Sequence, residues 1–175
     1  MPLILLRHPQ PDVAPGICYG ASDLALLRDP ASDAVRLARD LPPVDRIVTS
    51  PLGRCRALAD ALAECLGLPA TIDATIAEMD FGDWEGQRWD DIPRPQIDAW
   101  AGDFFDAKPH GGESVADVMA RVRQALSKAE RGTTLWVSHL GVYRVALACL
   151  GTQDPWNVTL GFSEFRTLPK GGATP

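Results

Sequence analysis

The sequence predicts an α/β fold: a three-layer α/β/α sandwich whose central sheet is mostly parallel. Short apolar runs alternate with longer segments in which apolar residues repeat at helical spacing. The runs are uninterrupted, as in strands buried on both faces of a sheet. Prolines and glycines separate most of these segments. A chain of 175 residues has the size of one ordinary domain, so we expect residues 1–175 to form a single domain.

The composition excludes several classes of protein. Hydrophobic residues make up 46% and charged residues 23%, which is typical of globular rather than disordered chains. No apolar run approaches the about 20 residues of a membrane span, and the first residues lack the basic region of a secretory signal. A net charge of −6 argues against nucleic acid or a membrane as a partner. We therefore expect a cytoplasmic protein with reduced cysteines, and the four cysteines form no metal-binding or redox pair.

The first predicted strand and helix flank a long loop. Residues 3–6 form an apolar strand that ends at Arg7-His8-Pro9. Residues 12–30 contain several prolines and glycines and predict a loop, and a loop of that length is usually functional. A helix then begins at Asp29-Pro30. The apolar residues expected on its buried face are Ala34, Val35, Ala38 and Leu41.

The second strand and helix follow directly. Residues 46–49 predict a buried strand, and Ser50-Pro51 predicts the N-cap and first residue of a helix that ends at Gly67. A weaker strand is predicted around residues 71–77. The stripe expected to be buried on this second helix consists of Leu58, Leu62, Cys65 and Leu66.

The second half of the chain predicts further helices and two strands. A short helix is expected near residues 94–104, and a capping box at Ser114–Asp117 begins a longer one. A buried strand over 133–137 is followed by another helix, and 164–168 predicts an edge strand. We expect His110 to be an exposed loop side chain. Aromatic residues expected in the core or at the rim of a pocket are Trp84, Trp89, Trp100 and Phe104.

Basic side chains follow three of the predicted strands. Arg7 and His8 follow the first, Arg54 lies one turn into the helix after the second, and His139 follows the third. Ligands of open α/β sheets bind beyond the carboxyl ends of the strands. Helical side chains lean towards the N-terminus, so Arg54 should point back to that edge. Two guanidinium groups and two helix N-termini at one edge favour a phosphoryl group.

A histidine within a phosphate pocket permits covalent catalysis. Neighbouring guanidinium groups disfavour the protonated imidazole and leave a lone pair that can attack phosphorus. Fixed arginines can replace Mg²⁺, so we expect no metal and no cofactor. The leaving alkoxide needs a proton, for which Glu78 is the candidate donor. On composition alone, Asp80, Asp83 and Glu85 are equally possible donors.

Five short motifs follow one another between residue 5 and about residue 150. They are Leu5-Leu6-Arg7-His8, Ser50-Pro51-Leu52-Gly53-Arg54-Cys55, the segment 78–86, Gly111-Gly112-Glu113-Ser114 and Val137-Ser138-His139-Leu140-Gly141. Together they resemble the signatures of the histidine phosphatase superfamily, the phosphoglycerate mutase-like proteins. The short length and the Cys18-Tyr19-Gly20 loop look most like the α-ribazole phosphatase branch of that family, an activity of cobalamin assembly.

The resemblance implies a phosphoglycerate mutase-like fold and a role for each site residue. His8 would be the nucleophile that becomes phosphohistidine, and Arg7, Arg54 and His139 would bind the phosphoryl oxygens. Glu78 would be the general acid for the leaving group and then the base for water. The partner would be a small phosphorylated substrate. Further substrate contacts are expected from Tyr19, Gly20 and Leu140.

The sequence departs from the family pattern at two places. Pro9 stands where the family has glycine, and proline removes a backbone N–H beside the nucleophile. The stretch 12–14 lacks the asparagine of the mutases, which favours a phosphomonoester hydrolase over a phosphoglycerate mutase. A module that binds a phosphorylated ligand without turnover is the third possibility. The oligomeric state stays open, although an apolar edge near Phe162 and Phe165 would allow two chains to pair as a dimer.

Overall fold

The fold is built around one five-stranded sheet, in a computed structural model that describes residues 2–128 and 132–169. The strands are β1 (Leu3–Arg7), β2 (Arg46–Thr49), β3 (Ala70–Ile72), β4 (Thr134–Ser138) and β5 (Phe165–Thr167). Their order across the sheet is β3-β2-β4-β1-β5. The first four are parallel and β5 is antiparallel to β1, which confirms the prediction of a mostly parallel sheet.

Helices cover both faces of the sheet. They are α1 (Ala31–Asp40), α2 (Gly53–Leu66), α3 (Arg94–Gly102), α4 (Val115–Ser127) and α5 (Leu140–Cys149). Successive side chains of β1 point to opposite faces, so Ile4 and Leu6 pack with α1 and α2, whereas Leu5 packs with α4 and α5. These two cores confirm the three-layer α/β/α sandwich. No helix in the described ranges is both long and apolar enough to cross a bilayer.

The carboxyl ends of the three central strands lie level with one another. Arg7 pairs with Ser138 in the register of β1 with β4, and Thr49 pairs with Val137 in that of β2 with β4. The pairing continues one residue further, because the His8 amide donates to the Ser138 carbonyl at 3.0 Å. The segments that follow β1, β2 and β4 therefore begin side by side.

The start of α2 differs from the prediction. The helix begins at Gly53, with Leu52 as its N-cap, and not at Pro51 after a Ser50 cap. The Ser50 hydroxyl instead lies 2.8 Å from Nε2 of His139. The Gly53 amide donates to the carboxylate of Asp23 at 2.7 Å, so a side chain distant in sequence satisfies this helix end.

Two side chains expected in the core lie at the surface. Val35 is 46% exposed, because the buried face of α1 is centred on Ala34 and Leu37, and Val35 projects about 100° from Ala34. Cys65 is exposed because it lies outside the buried face of α2. The capping box of α4 is confirmed: Ser114 Oγ accepts from the Asp117 amide at 3.1 Å, and Asp117 Oδ2 accepts from the Ser114 amide at 2.9 Å.

Candidate active site

His8 follows β1 and is only 2% exposed. Its Nδ1 lies 2.7 Å from the carbonyl oxygen of Pro9. A carbonyl can only accept, so Nδ1 carries the proton and Nε2 keeps its lone pair. Burial lowers the pKa of His8 to about 3, against the Pro9 bond and with help from the charges of Arg54 and Arg7. His8 is therefore neutral. Pro9 lacks the backbone N–H that a glycine would have at this position, but its carbonyl is still present and fixes the tautomer of His8.

His139 stands beside His8 as the N-cap of α5, with ring centroids 5.1 Å apart. Its Nδ1 is 3.5 Å from Nη2 of Arg54, and a guanidinium can only donate, so Nε2–H donates to Ser50 Oγ. Burial lowers the pKa of His139 well below its usual value, because a protonated His139 would be buried beside the His8 ring and the charge of Arg54. Two neutral imidazoles thus lie next to each other.

Arg54 is 1% exposed and is held by main-chain oxygens. Its Nη1 donates to the Ser22 carbonyl and its Nη2 to the Gly20 carbonyl, both at 2.6 Å. Gly20 approaches the segment 78–86 so closely that a Cβ there would lie 1.8 Å from the Met79 carbonyl oxygen. The loop after residue 12 can therefore bridge Arg54 and the segment 78–86 only with glycine at position 20.

Glu85 holds that loop in turn. Its Oε1 accepts from the amides of Ala21 at 2.7 Å and Phe81 at 3.0 Å, and Oε2 accepts from the amide and the hydroxyl of Ser22. Burial alone would raise the pKa of Glu85, but these hydrogen bonds lower it below its usual value. Glu85 is committed to the loop that orients Arg54 and does not line the cavity described below. The sequence indicated it only as a candidate acid, so this positioning role was missed.

Glu78 reaches the other side of the pocket. Its Oε1 accepts from the Met79 amide at 3.0 Å, and its Oε2 accepts from the Gly141 amide, in the first turn of α5, at 3.1 Å. A Cβ at Gly141 would lie 2.2 Å from Glu78 Oε1, so this approach requires glycine. The remaining candidate acids lie elsewhere, since Asp80 accepts from the Gly82 amide at 2.7 Å and Asp83 is exposed.

An ion pair missed by the sequence reasoning fixes the segment that carries Glu78. Arg121 donates from Nε to Glu113 Oε1 at 2.8 Å, and from Nη2 to the Glu78 carbonyl at 3.0 Å. Its Nη1 donates to the Ala77 carbonyl at 2.6 Å, while Glu113 Oε2 accepts from the Asp80 amide at 3.0 Å. The available signal was the position of Glu113 within the Gly-Gly-Glu-Ser motif.

Arg7, the last residue of β1, contacts the segment that contains Leu160 and Phe162. Its Nη1 donates to the Leu160 carbonyl at 2.7 Å, and its guanidinium carbon lies 3.9 Å from the ring centre of Phe162. Burial lowers the pKa of Arg7, opposed by Tyr19 and Glu78. The Nε atoms of Arg7 and Arg54 are buried and have no acceptor among the described residues. A bound phosphoryl group would supply the acceptors that these donors lack.

Phe162 and Phe165, expected along an apolar edge, have separate surroundings. Phe162 is 37% exposed and lies over Arg7, with its ring centroid 5.6 Å from that of His8. Phe165, in the edge strand β5, is half-buried against the core on the α1 and α2 side. Pairing of two chains at this edge stays a prediction.

A cavity of about 240 Å³ opens beside these groups. Its polar end is formed by Arg7, His8 and Glu78. Tyr19 and Leu140, both predicted to contact substrate, line it, whereas Gly20 contacts Arg54. Its aromatic wall consists of Tyr19, Phe81, Trp100, Phe104 and Trp156.

His110 lies within the aromatic cluster next to this wall, and its predicted exposure is wrong. It is 0% exposed, with its ring 4.8 Å from that of Trp84. Its Nδ1 accepts from the Gly112 amide at 3.0 Å, so the loop folds back over the ring. Trp84, 1% exposed, is in the core, while Trp100 and Phe104 line the cavity.

The helix N-termini contribute less than expected. Asp23 accepts from Gly53 at the start of α2 and Glu78 accepts from Gly141 at the start of α5, so carboxylates of the protein already occupy these amides. Within residues 2–128 and 132–169, no three His, Cys, Asp or Glu side chains are grouped so that they could hold a metal ion. Independence from metal and cofactor stays a prediction.

Known proteins resemble the chain over most of its length. A profile of the histidine phosphatase superfamily (branch 1) matches residues 3–161. An adenosylcobalamin/α-ribazole phosphatase of Salmonella typhimurium is 30% identical over 162 residues, which are 87% of this chain and 80% of that protein. A 2,3-bisphosphoglycerate-dependent phosphoglycerate mutase of Chelativorans sp. is 36% identical over 157 residues, or 79% and 75% of the two chains.

Structural similarity covers the same region. The crystal structure of the α-ribazole phosphatase from Shigella flexneri superposes with a TM-score of 0.83 at 27% identity, covering 95% of this chain and 89% of that one. By contrast, the chain spans only 43% of the length of the mycobacterial proteins to which it is 32% identical over 158 residues. Relatives thus include both phosphatases and a mutase.

Proposed function

Because the chain belongs to branch 1 of the histidine phosphatase superfamily, we propose that it hydrolyses phosphomonoesters through a phosphohistidine formed on His8. One observation carries the proposal: His8 is buried and neutral, with Nδ1–H bonded to a carbonyl and the Nε2 lone pair available for attack. The neighbouring Arg7 and Arg54, whose buried Nε atoms lack acceptors among the described residues, favour a phosphoryl dianion at this position.

In the first step, Nε2 of His8 forms a bond to phosphorus while the bond from phosphorus to the ester oxygen breaks. Arg7 and Arg54 take the charge on the phosphoryl oxygens, with His139 alongside. The acid form of Glu78 transfers its proton to the departing oxygen, so the product is a neutral alcohol. The Nδ1–H bond to Pro9 stabilises the phosphorylated imidazole and holds its ring in place.

In the second step, water replaces the alcohol. Glu78, now a carboxylate, takes a proton from the water as its oxygen bonds to phosphorus, and the bond from phosphorus to Nε2 breaks. Inorganic phosphate leaves, and His8 and Glu78 return to their starting states. All charge compensation comes from side chains of the chain itself, so the proposal requires neither metal nor cofactor.

We extend the proposal to α-ribazole 5′-phosphate as the substrate, as in the relatives from Salmonella typhimurium and Shigella flexneri. The aromatic wall of Trp100, Phe104 and Trp156 supports an alcohol with a flat base. A phosphoglycerate offers no apolar surface to such a wall. This contrast favours a hydrolase of larger esters over a mutase.

The decisive experiment follows p-nitrophenyl phosphate hydrolysis with excess EDTA, for the natural chain and for His8→Ala. We expect turnover that survives the chelator and disappears in the variant, and an acid-labile, base-stable phosphoenzyme after rapid quenching. Phosphate binding without turnover between pH 5 and 8 would instead identify a non-catalytic module. Isomerisation of 3-phosphoglycerate would identify a mutase, and kcat/KM values for α-ribazole phosphate, sugar phosphates and phosphoserine peptides would test the substrate.

A further inference from the structure

The cavity beside His8 has a continuous apolar wall. Ring centroids of Trp100 and Phe104 lie 5.8 Å apart, those of Phe104 and Trp156 5.1 Å, and those of Phe81 and Trp100 6.2 Å. Edge-on and tilted contacts of this kind hold rings in fixed orientations. A wall of this composition favours a ligand with a flat apolar part.

A second cation besides Arg7 lines the same cavity. Arg144 lies on α5, one turn after Leu140, and lines the cavity. Its Nε donates to the Val158 carbonyl at 3.1 Å, which anchors the guanidinium next to the segment that carries Trp156. Its two Nη atoms have no hydrogen-bond or ion-pair partner in the described part of the chain. They remain available to a ligand.

The charges around the cavity are not balanced when a phosphoryl group is bound and Glu78 is in the acid form that the proposed first step requires. Arg7 and Arg54 are the cations that compensate the phosphoryl dianion in the proposed reaction. Glu78 is the single acidic side chain among the described residues that line the cavity, and its oxygens already accept from Met79 and Gly141. Arg144 is close enough to Arg7 to contribute to the lowering of its pKa. The positive charge of Arg144 therefore remains available to an acceptor on the ligand.

We infer that Arg144 binds the alcohol part of the substrate, which combines a flat apolar group with a hydrogen-bond acceptor and is bound more strongly when that acceptor is anionic. This inference rests on the proposed function, because it concerns the alcohol released there. Arg144 acts beside the reacting atoms and determines specificity. Contact with apolar walls strengthens a charge-assisted hydrogen bond by excluding water.

Three aryl phosphates test the inference: 3-methylphenyl, 3-carbamoylphenyl and 3-carboxyphenyl phosphate. At the same ring position, the methyl ester has no hydrogen-bond acceptor, the carbamoyl ester has a neutral one and the carboxyl ester has an anionic one. We compare kcat/KM of the natural chain with Arg144→Met and Arg144→Lys. Dividing each variant's value by that of the natural chain removes the different intrinsic reactivities of the three esters. Arg39→Met, at an exposed position of α1, is the matched control.

Arg144→Met should lower kcat/KM for the carboxyl ester about 10- to 100-fold more than for the methyl ester, the range of a charged hydrogen bond. The carbamoyl ester should lie between them, and Arg144→Lys should restore part of the preference for carboxylate. Arg39→Met should show no such differential. Equal losses for all three esters would overturn the inference, because Arg144 would then only support the wall through Val158.

The proposed function and this inference fail in different ways. If the natural chain hydrolyses none of the esters, the proposed function is wrong. Calorimetric titration of His8→Ala and of His8→Ala with Arg144→Met, using the same three esters, then gives the comparison for binding alone. If His8→Ala binds the carboxyl ester most tightly and the double variant loses this preference, the inference holds even without turnover. If His8→Ala shows no preference for the carboxyl ester, the inference is wrong.

Discussion

The proposed site has two halves, the basic pocket of Arg7, His8, Arg54 and His139 and the cavity with the aromatic wall, and they are held in different ways. In the pocket, main-chain oxygens fix the reacting groups: Gly20 and Ser22 hold Arg54, and Pro9 holds His8. In the cavity, side chains fix one another through ring contacts, as Phe104 does with Trp156. The pocket follows the ends of central strands, whereas the wall comes mainly from helices and loops outside the sheet.

This difference separates chemistry from specificity. Groups bonded to the main chain are preorganised and cannot adapt to a new substrate without moving the backbone. Ring contacts can be replaced one at a time at small cost, so the alcohol that fits can change while the phosphoryl chemistry is retained. Substitutions in the pocket should therefore act mainly on kcat, and those in the wall mainly on KM.

The largest effect is expected from Glu78→Gln, which keeps the shape of the side chain but removes the transferable proton. Alkyl phosphates, which leave as poor alkoxides, should lose about 10²- to 10⁴-fold in kcat. Loss for p-nitrophenyl phosphate should be much smaller, because that leaving group needs no proton. Kinetics on a series of esters with rising leaving-group pKa would measure this. A uniform loss across the series would contradict the role of Glu78 as acid.

The second largest effect is expected from Arg54→Lys, which should lower kcat about 10²- to 10³-fold. An ammonium cannot contact the Gly20 and Ser22 carbonyls and a phosphoryl group as a planar fork does. Steady-state kinetics with p-nitrophenyl phosphate would show the loss, and Arg56→Lys, at an exposed position on the same helix, provides the control. A change confined to KM would show that Arg54 is not preorganised for the transition state.

Gly141→Ala should displace Glu78, because the new Cβ would lie 2.2 Å from its Oε1. We expect a fall of about 10- to 100-fold in kcat for alkyl esters, the order that misplacement of a catalytic group costs. Gly102→Ala, where a Cβ would meet no atom of the described residues within 4 Å, is the matched control and should behave like the natural chain. Similar activity in both variants would show that the acid does not depend on contact with α5.

The pocket histidines should make stability depend on pH. The pKa of His8 is lowered to about 3, so between there and about 6.5 the unfolded chain binds a proton that the folded chain does not. The free energy of unfolding should therefore fall with falling pH in this window, by up to about 1.4 kcal/mol per pH unit for each such histidine. Urea unfolding at pH 7.5, 6.0 and 5.0 should show a smaller slope in His8→Gln. An unchanged slope would contradict the neutral, buried state of His8.

Phe104→Leu should give the smallest effect, because it removes ring contacts and keeps apolar contact in the cavity wall. KM for aryl phosphates should rise about threefold to tenfold, the size of an aromatic contact, with little change in kcat. Val35→Leu, at an exposed position of α1 that does not line the cavity, is the control. A larger fall in kcat than in affinity would remove the distinction between the two halves of the site.

The strands and the order of the site motifs could be predicted because both depend on local patterns. Apolar runs fix the central strands, and the residues just after them must meet at one edge of a parallel sheet. Hence Arg7, His8, Arg54 and His139 could be assigned to that edge from the sequence. Glu78 is favoured because it directly follows the weak strand predicted over 71–77, and the family resemblance supports it over Asp80, Asp83 and Glu85.

The errors fall where distant segments decide the local structure. Ser50 has the ideal sequence for a helix cap, yet Asp23 satisfies the helix end and leaves Ser50 to His139. His110 is buried because Trp84 and Phe81 pack on it, a contact that its Pro-Gly surroundings do not reveal. Arg144 could not be predicted because its helix pattern is ordinary, and its importance depends on the cavity.

The position of β1 between β4 and β5 has a consequence for how the protein is made. The ribosome synthesises β1 before either neighbour, so this apolar strand must stay unpaired while residues up to 134 and beyond emerge. The candidate site at the end of this strand is therefore completed late, when the Leu160 carbonyl arrives to anchor Arg7. A nascent or truncated chain that ends before Leu160 would be an inactive, aggregation-prone intermediate, which the quality-control machinery of its cell would encounter.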